Sequence, residues 1–253
     1  MKKPILFVIM TLILQIGLQA QTKIIAHRGA WKNTKVPQNS IASLKAAIDQ
    51  KAWGSEFDVH LTKDDILVVN HDHDFQGLHI EELTYKELLA KKHPNGENIA
   101  TVEEYIKAGL NQKSTKLIYE LKTSRISKER TLKAVALALD IVKKLKAEKI
   151  TEYIAFDWDA CLEFRKLDKK AKVHYLNGDK TPAEVKAAGL TGVDYHFNVF
   201  KKNPTWIKEL KALKLKVNVW TVNSSEDQDF FINEKVDFIT TDEPELLKTK
   251  LSK

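Results

Sequence analysis

Cysteine is almost missing from this chain: Cys161 is the only one in 253 residues, so no intramolecular disulfide can form. It falls in a helical pattern, where a buried structural thiol is expected. Glycine (9) and proline (6) are sparse, which excludes a collagen-like or low-complexity chain. There is no block of basic residues and no interleaving of lysines with aromatics, so nucleic-acid binding is not expected despite a formal charge of +7. What remains is an ordinary globular composition, 43% hydrophobic and 30% charged, long enough to bury an ample core.

The one long apolar run, from about Ile5 to Leu18, follows Lys2 and Lys3 and ends near the small residue Ala20. That layout is a secretory signal peptide over residues 1–20, leaving a mature domain of 21–253 that is exported to the periplasm or beyond. Its removal lowers the formal charge to about +5. The run is short for a span, so an uncleaved anchor is the lesser reading, and no cysteine follows it to carry a lipid. No stable membrane span is expected after processing.

The mature chain opens on the apolar stretch Ile24-Ile25-Ala26, which runs into His27-Arg28-Gly29. A loop follows, then a helical pattern through Ile41, Leu44, Ala47 and Ile48. Gly54 to Leu61 alternates in the manner of a strand, so Glu56 and Asp58 share a face. The turn at Lys63-Asp64-Asp65 sends Ile66 to Asp72 back as a hairpin and brings His71 towards those carboxylates. Residues 73–100 show little periodicity beyond a short helix near Tyr85 to Leu89 and read as an excursion over the mouth of the fold.

From there strands and helices alternate. Strands are expected at 116–121, 152–156, 172–176, 193–197, 216–221 and 236–241. Helices are expected at 101–111, 127–149, 159–169, 182–188, 204–213 and 225–233, with a last one from Pro244. This is an α/β chain of eight parallel strands, and a closed (β/α)8 TIM barrel accommodates it better than an open sheet. The hairpin and the excursion then elaborate strand 2.

In such a barrel the active site lies at the C-terminal ends of the strands. His27, Arg28, Glu56, Asp58, Glu120, Lys122, Trp220 and Asp242 all fall there. Glu56, Asp58 and Glu120 offer three oxygen donors, a hard set suited to one divalent cation, Mg²⁺ or Ca²⁺, which would also relieve their mutual repulsion. Two histidines, an arginine and a lysine beside such a metal suit phosphoryl chemistry on a small anionic substrate. A blander reading makes Glu56 and Asp58 ion-pair partners of Arg28 and Lys122, His71 a turn cap and Trp220 plain core. The remaining histidines, at 60, 73, 79, 93, 174 and 196, are read as structural or surface groups.

The residues that carry this reading also carry a resemblance. His27-Arg28-Gly29, Glu56-Phe57-Asp58-Val59, Val68-Val69-Asn70-His71-Asp72 and Tyr119-Glu120-Leu121-Lys122 match in order, followed by Val219-Trp220-Thr221-Val222-Asn223 and Val236 to Pro244. Through nearly the whole mature chain the sequence resembles the glycerophosphodiester phosphodiesterases, metal-dependent TIM-barrel enzymes that release glycerol 3-phosphate and an alcohol. The resemblance implies His27 and His71 as the acid-base pair and Glu56, Asp58 and Glu120 as metal ligands. It further implies Arg28 and Lys122 as phosphate contacts and Trp220 as a wall of the substrate pocket. The implied route passes through a cyclic phosphate formed by the neighbouring glycerol hydroxyl.

Two departures stand out. Gln38 occupies a position where the family usually carries glutamate, and His73-Asp74-Phe75-Gln76-Gly77 replaces the segment the family usually has after its second histidine. Reaction type is retained while the alcohol moiety is left open. The alternatives are a phospholipase D-like lyase that stops at the cyclic phosphate and a non-catalytic protein that binds phosphorylated head groups.

Overall fold

The structure is a computed structural model and describes residues 21–252; the expected signal peptide at 1–20 lies outside the described residues. Eight strands run parallel: β1 (Lys23–Ala26), β2 (Gly54–Leu61), β3 (Lys116–Leu121), β4 (Thr151–Ala155), β5 (Val173–Tyr175), β6 (Gly192–His196), β7 (Lys216–Trp220) and β8 (Phe238–Thr241). β1 pairs with both β2 and β8, which closes the sheet into a barrel and leaves its strands no open edge. Helices fill the return connections and form the outer layer, as the alternating pattern requires.

The alternation along each strand sorts side chains between two cores. On β2, Phe57 and Val59 point outward into the main core, where Phe57 stacks on Tyr105 with ring centroids 4.4 Å apart. Inside the barrel, Ile25, Ile118, Ile154, Leu176 and Phe238 pack with Trp53 and Trp220. Every residue of β2 is buried, so its inward polar groups cannot rely on bulk water. Helix starts are locked locally: Thr101 and Thr181 each accept from the backbone three residues on, and Glu104 and Glu184 return the bond.

Several boundaries differ from the sequence reading. The long helix covers Lys128–Lys144, not 127–149, because the chain turns into the left-handed region at Lys146. The hairpin return is a strand only over Leu67–Val69, which leaves His71 on a loop. After β6, Phe197–Lys202 forms a short helix that the sequence reading missed, taking Phe197 as strand; a run of Phe, Val and Phe looks extended until His196 caps a turn there. The excursion has a core of its own, with Val68, Phe75, Ile80, Leu88 and Ile99 gathered from irregular spacings. It is anchored over the C-terminal end of β3, where Glu81 accepts from the Ser124 hydroxyl and the Arg125 N–H. Cys161 is a buried structural thiol. Among the described residues no helix is long and apolar enough to cross a membrane.

At the opposite, N-terminal end of the barrel, Glu152 is buried between Lys172 (2.9 Å) and His174 (3.2 Å). Burial works against its charge, yet the His174 and Lys172 contacts hold its pKa at about 2, below the ordinary 4.5. A carboxyl whose pKa falls on folding contributes stability that is fully present above pH 4.5 and lost as the pH drops towards 2. Glu152→Gln is therefore expected to cost on the order of 2–3 kcal/mol near neutral pH, with the gap to wild type narrowing below about pH 4. Urea unfolding at the two pH values measures this, and a pH-independent gap would contradict it.

Candidate active site

The site grows from the end of β1. Arg28 and Gly29 both adopt positive φ, 57° and 79°, and turn the chain back over the barrel rim. A Cβ on Gly29 would lie 2.4 Å from Ser43 Oγ, so close approach to the first helix and backbone conformation both demand glycine. The turn aims the Arg28 N–H at Glu56 Oε2 (2.7 Å) and the Gly29 N–H at the Glu56 carbonyl (3.1 Å). The His-Arg-Gly triplet thus fixes a carboxylate on the next strand.

β2 and β3 pair in a register that sets Asp58 opposite Glu120. Ligand oxygens of Glu56, Asp58 and Glu120 lie within 4.8 Å of one another, all three residues buried. Lys122, one strand period beyond Glu120, ion-pairs with Glu120 and with Asp58 at 2.6 Å. Burial pushes the Asp58 carboxyl up, but Lys122, His71 and Asn39 outweigh it and hold the pKa at about 2. The other two go the opposite way. Burial and the neighbouring charges of Asp58 and Glu120 raise Glu56 well above the carboxylate range, and burial with Asp58 lifts Glu120 to about 7.

Lys122 and the more distant Arg28 do not neutralise three carboxylates, and Glu56 Oε1 is buried with no hydrogen-bond donor among the described residues. An orphaned, buried carboxylate oxygen amid two others is the donor set a hard divalent cation requires, so the residues present fit such an ion.

The two histidines have matched settings. His27 Nδ1 lies 2.8 Å from Asp242 Oδ1, and His71 Nδ1 lies 2.8 Å from Asp72 Oδ1, which leaves Nε2 of each ring unengaged by these carboxylates. Asp242 is itself gripped by Asn223 Nδ2 at 2.7 Å; burial opposes its charge, but the His27 contact lowers its pKa. His71 is held from behind by His60, whose Nε2 is 3.1 Å from the His71 carbonyl. Burial lowers the pKa of His71, with Lys122 and Arg28 adding to the effect against Asp58 and Asp72.

A cavity of about 140 Å³ joins His27, Arg28, Glu56, His71, Glu120, Lys122 and Trp220. All the sequence-expected residues therefore meet, with Asp58 buried beneath the floor. The blander reading holds in part: Asp58 and Glu120 do pair with Lys122, and Arg28 Nε lies 3.7 Å from Asp58. Trp220 is half-buried and lines the cavity, its Nε1 donating to the Asp194 carbonyl at 2.9 Å. Gln38 takes its place in the site by accepting from Arg28 Nη1 at 2.9 Å. An amide there orients the guanidinium without cancelling its charge.

Three contributors went unread in the sequence, Asn39, Asp194 and Phe156, and a fourth, His196, was read there only as a structural or surface group. Asn39, at φ 56°, accepts from the Asp58 N–H and donates to Asp58 Oδ2 at 2.7 Å, a contact across a loop that no periodicity signals. Asp194 lines the cavity from β6; burial and Glu120 raise its pKa well above the ordinary value. Alternation along Gly192–His196 could have placed it inward. Phe156 and His196 set their rings against Trp220 at 5.6 and 5.0 Å and form the apolar wall.

Comparison with known proteins agrees with this geometry. The Glycerophosphoryl diester phosphodiesterase family matches residues 27–246. A glycerophosphodiester phosphodiesterase of Parabacteroides distasonis, known from its crystal structure, is 46% identical with a TM-score of 0.90, over 92% of this chain and 98% of that one. A glycerophosphodiester phosphodiesterase of Caldanaerobacter subterraneus is 30% identical over 90% of this chain and 96% of its own. An Oleispira antarctica phosphodiesterase, solved in complex with the product sn-glycerol-3-phosphate, is 21% identical over 92% and 98% of the two chains with a TM-score of 0.80, and shares the fold. The chain belongs to the glycerophosphoryl diester phosphodiesterase family.

Proposed function

We propose that this protein hydrolyses glycerophosphodiesters to glycerol 3-phosphate and an alcohol, using His27 and His71 to move protons across a phosphate held over Glu56, Asp58 and Glu120. The observation that carries the reading is the meeting of two carboxylate-oriented histidines with a buried three-carboxylate cluster in one small cavity. Mg²⁺ or Ca²⁺ held by the three carboxylates would polarise the phosphoryl oxygens and offset their negative charge.

Arg28 and Lys122 are the cations at the cavity wall, and both are suited to orient the phosphate. His71, kept neutral near pH 7 chiefly by burial, is suited to take the proton from the glycerol hydroxyl as its oxygen bonds to phosphorus. His27, with Asp242 on its far nitrogen to orient the ring, is suited to give a proton to the departing alcohol oxygen as its bond to phosphorus breaks. The resulting cyclic phosphate is opened by water with the two roles exchanged, His27 taking the proton from water and His71 returning one to the ring oxygen. Trp220 and Phe156 give the alcohol moiety an apolar wall. The signal-like residues 1–20 support action outside the cytoplasm on a small soluble phosphodiester.

Assay of glycerophosphocholine, glycerophosphoethanolamine, glycerophosphoinositol and a lysophospholipid, each with and without EDTA, tests the reading. Phosphomonoester is expected only with divalent cation, and His27→Ala and His71→Ala are each expected to lower kcat about 10²- to 10⁴-fold. Full activity after chelation and in His27→Ala would contradict it. A cyclic phosphate that persists without monoester in phosphorus NMR would instead establish the lyase.

The direction of the His71 shift sets the acid side of the pH profile. A lowered pKa keeps the ring unprotonated further into acid, so the acid limb of kcat/KM is expected to have its midpoint below 6.5, the ordinary histidine value. A midpoint above 6.5 would remove His71 from the role of base.

A further inference from the structure

We propose that the N-terminal end of the barrel, opposite the active site, is a docking surface for an anionic phospholipid bilayer. All parallel strands begin at this end and the outer helices finish there, and lysine recurs at both kinds of junction. Lys51, Lys113, Lys149, Lys170 and Lys214 each follow the C-terminus of a helix; all five are exposed, and none forms an ion pair among the described residues.

Cations near helix C-termini are favoured by the helix dipole, so their presence alone carries little weight. Their conformation carries more. Lys51, Lys146, Lys214 and Lys235 stand just past helix ends at φ between 55° and 59°, the left-handed region where glycine is the cheaper residue. Gly189 occupies the matching place after the helix Pro182–Ala187. Positive charge is thus built into this end at positions that local backbone preference assigns to glycine.

Strand starts reach the same end: Lys23, Lys172 and Lys216, with Lys211 from the helix Trp206–Ala212, line a cavity of about 390 Å³ at its centre, walled on one side by Trp53 stacked on Phe238 at 4.3 Å. Glu152 and Asp237 in that cavity pair with Lys172 and Lys216, so the cavity's unbalanced charge is carried by Lys23 and Lys211. Asp49, Glu148, Asp168 and Glu234 interrupt the surface and are outnumbered by the five unpaired lysines Lys51, Lys113, Lys149, Lys170 and Lys214.

The identity of the partner follows from where the chain enters. Gln21 lines this cavity, and the apolar run Ile5–Leu18 lies directly upstream in the sequence. Whether that run is cleaved or retained, the end of the barrel that follows it is the end that starts nearest the bilayer, and its lysine-rich surface complements anionic head groups. Docked in this way, the barrel turns its active-site mouth towards solution. That orientation suits the soluble diesters proposed above, although the docking itself does not depend on that activity.

Co-sedimentation of the chain from Gln21 onward, which contains the whole closed barrel, tests the proposal. Binding is expected to vesicles of equal phosphatidylglycerol and phosphatidylcholine, to weaken steeply as salt is raised, and to be absent with phosphatidylcholine alone. Replacing Lys51, Lys113, Lys149, Lys170 and Lys214 together by Gln should weaken binding at least about tenfold, while replacing them by Arg should preserve it. Both variants should keep the wild-type thermal midpoint and the wild-type turnover of a soluble diester. Equal binding to both vesicle types, no binding to either, or undiminished binding by the Gln variant would overturn the proposal. Displacement by millimolar inorganic phosphate at fixed ionic strength would also overturn it and make the central cavity a site for a soluble anion.

Discussion

Three buried carboxylates with ligand oxygens within 4.8 Å of one another, Lys122 between two of them, are the constraint on which the rest of this structure depends. In isolation that arrangement repels itself, and the burial that raises Glu56 and Glu120 shows how little the protein does to relieve it. The fold holds the cluster all the same. β2 and β3 fix Asp58 level with Glu120, the Arg28–Gly29 turn donates two backbone N–H groups to Glu56, and Asn39 clasps Asp58 from a loop. Each of these supports restrains a carboxylate without neutralising it, as a site built to receive a cation should.

The two histidines are arranged by a parallel logic. His27 and His71 reach the cavity from different segments, yet each has a carboxylate on Nδ1. The two pairs differ in setting: Asp242 is largely shielded and gripped by Asn223, whereas Asp72 is open to solvent. That difference gives the two histidines distinct settings, and the proposed division of base and acid between them rests on it. Gln38 fits the same scheme, since a neutral partner leaves the Arg28 charge available to an anionic substrate.

Much of this is legible in the sequence alone. Period-two alternation put Glu56 and Asp58 on one face, and the repeated strand-helix pattern required their strand end to share a rim with His27 and Glu120. Periodicity fails where contact depends on loop conformation. Asn39 needs a left-handed backbone to turn onto Asp58, and the core of the excursion joins Phe75, Ile80, Leu88 and Ile99 across spacings that match no helix or strand. The helix at Phe197–Lys202 was masked because its residues favour strands and its start depends on the His196 cap. Asp194 was hidden by company rather than by conformation: one acid in an apolar strand has no partner in sequence to mark it.

The central claim is that the carboxylate cluster exists to hold one divalent ion, and binding tests it more directly than turnover does. Calorimetric titration of the metal-stripped protein with Mg²⁺ and with Ca²⁺ should give one ion per chain for at least one of them, and Glu56→Gln, Asp58→Asn and Glu120→Gln should each abolish that binding in a folded chain. Binding that survives all three substitutions, or a stripped protein that takes up no ion yet still cleaves its substrate, would contradict the account.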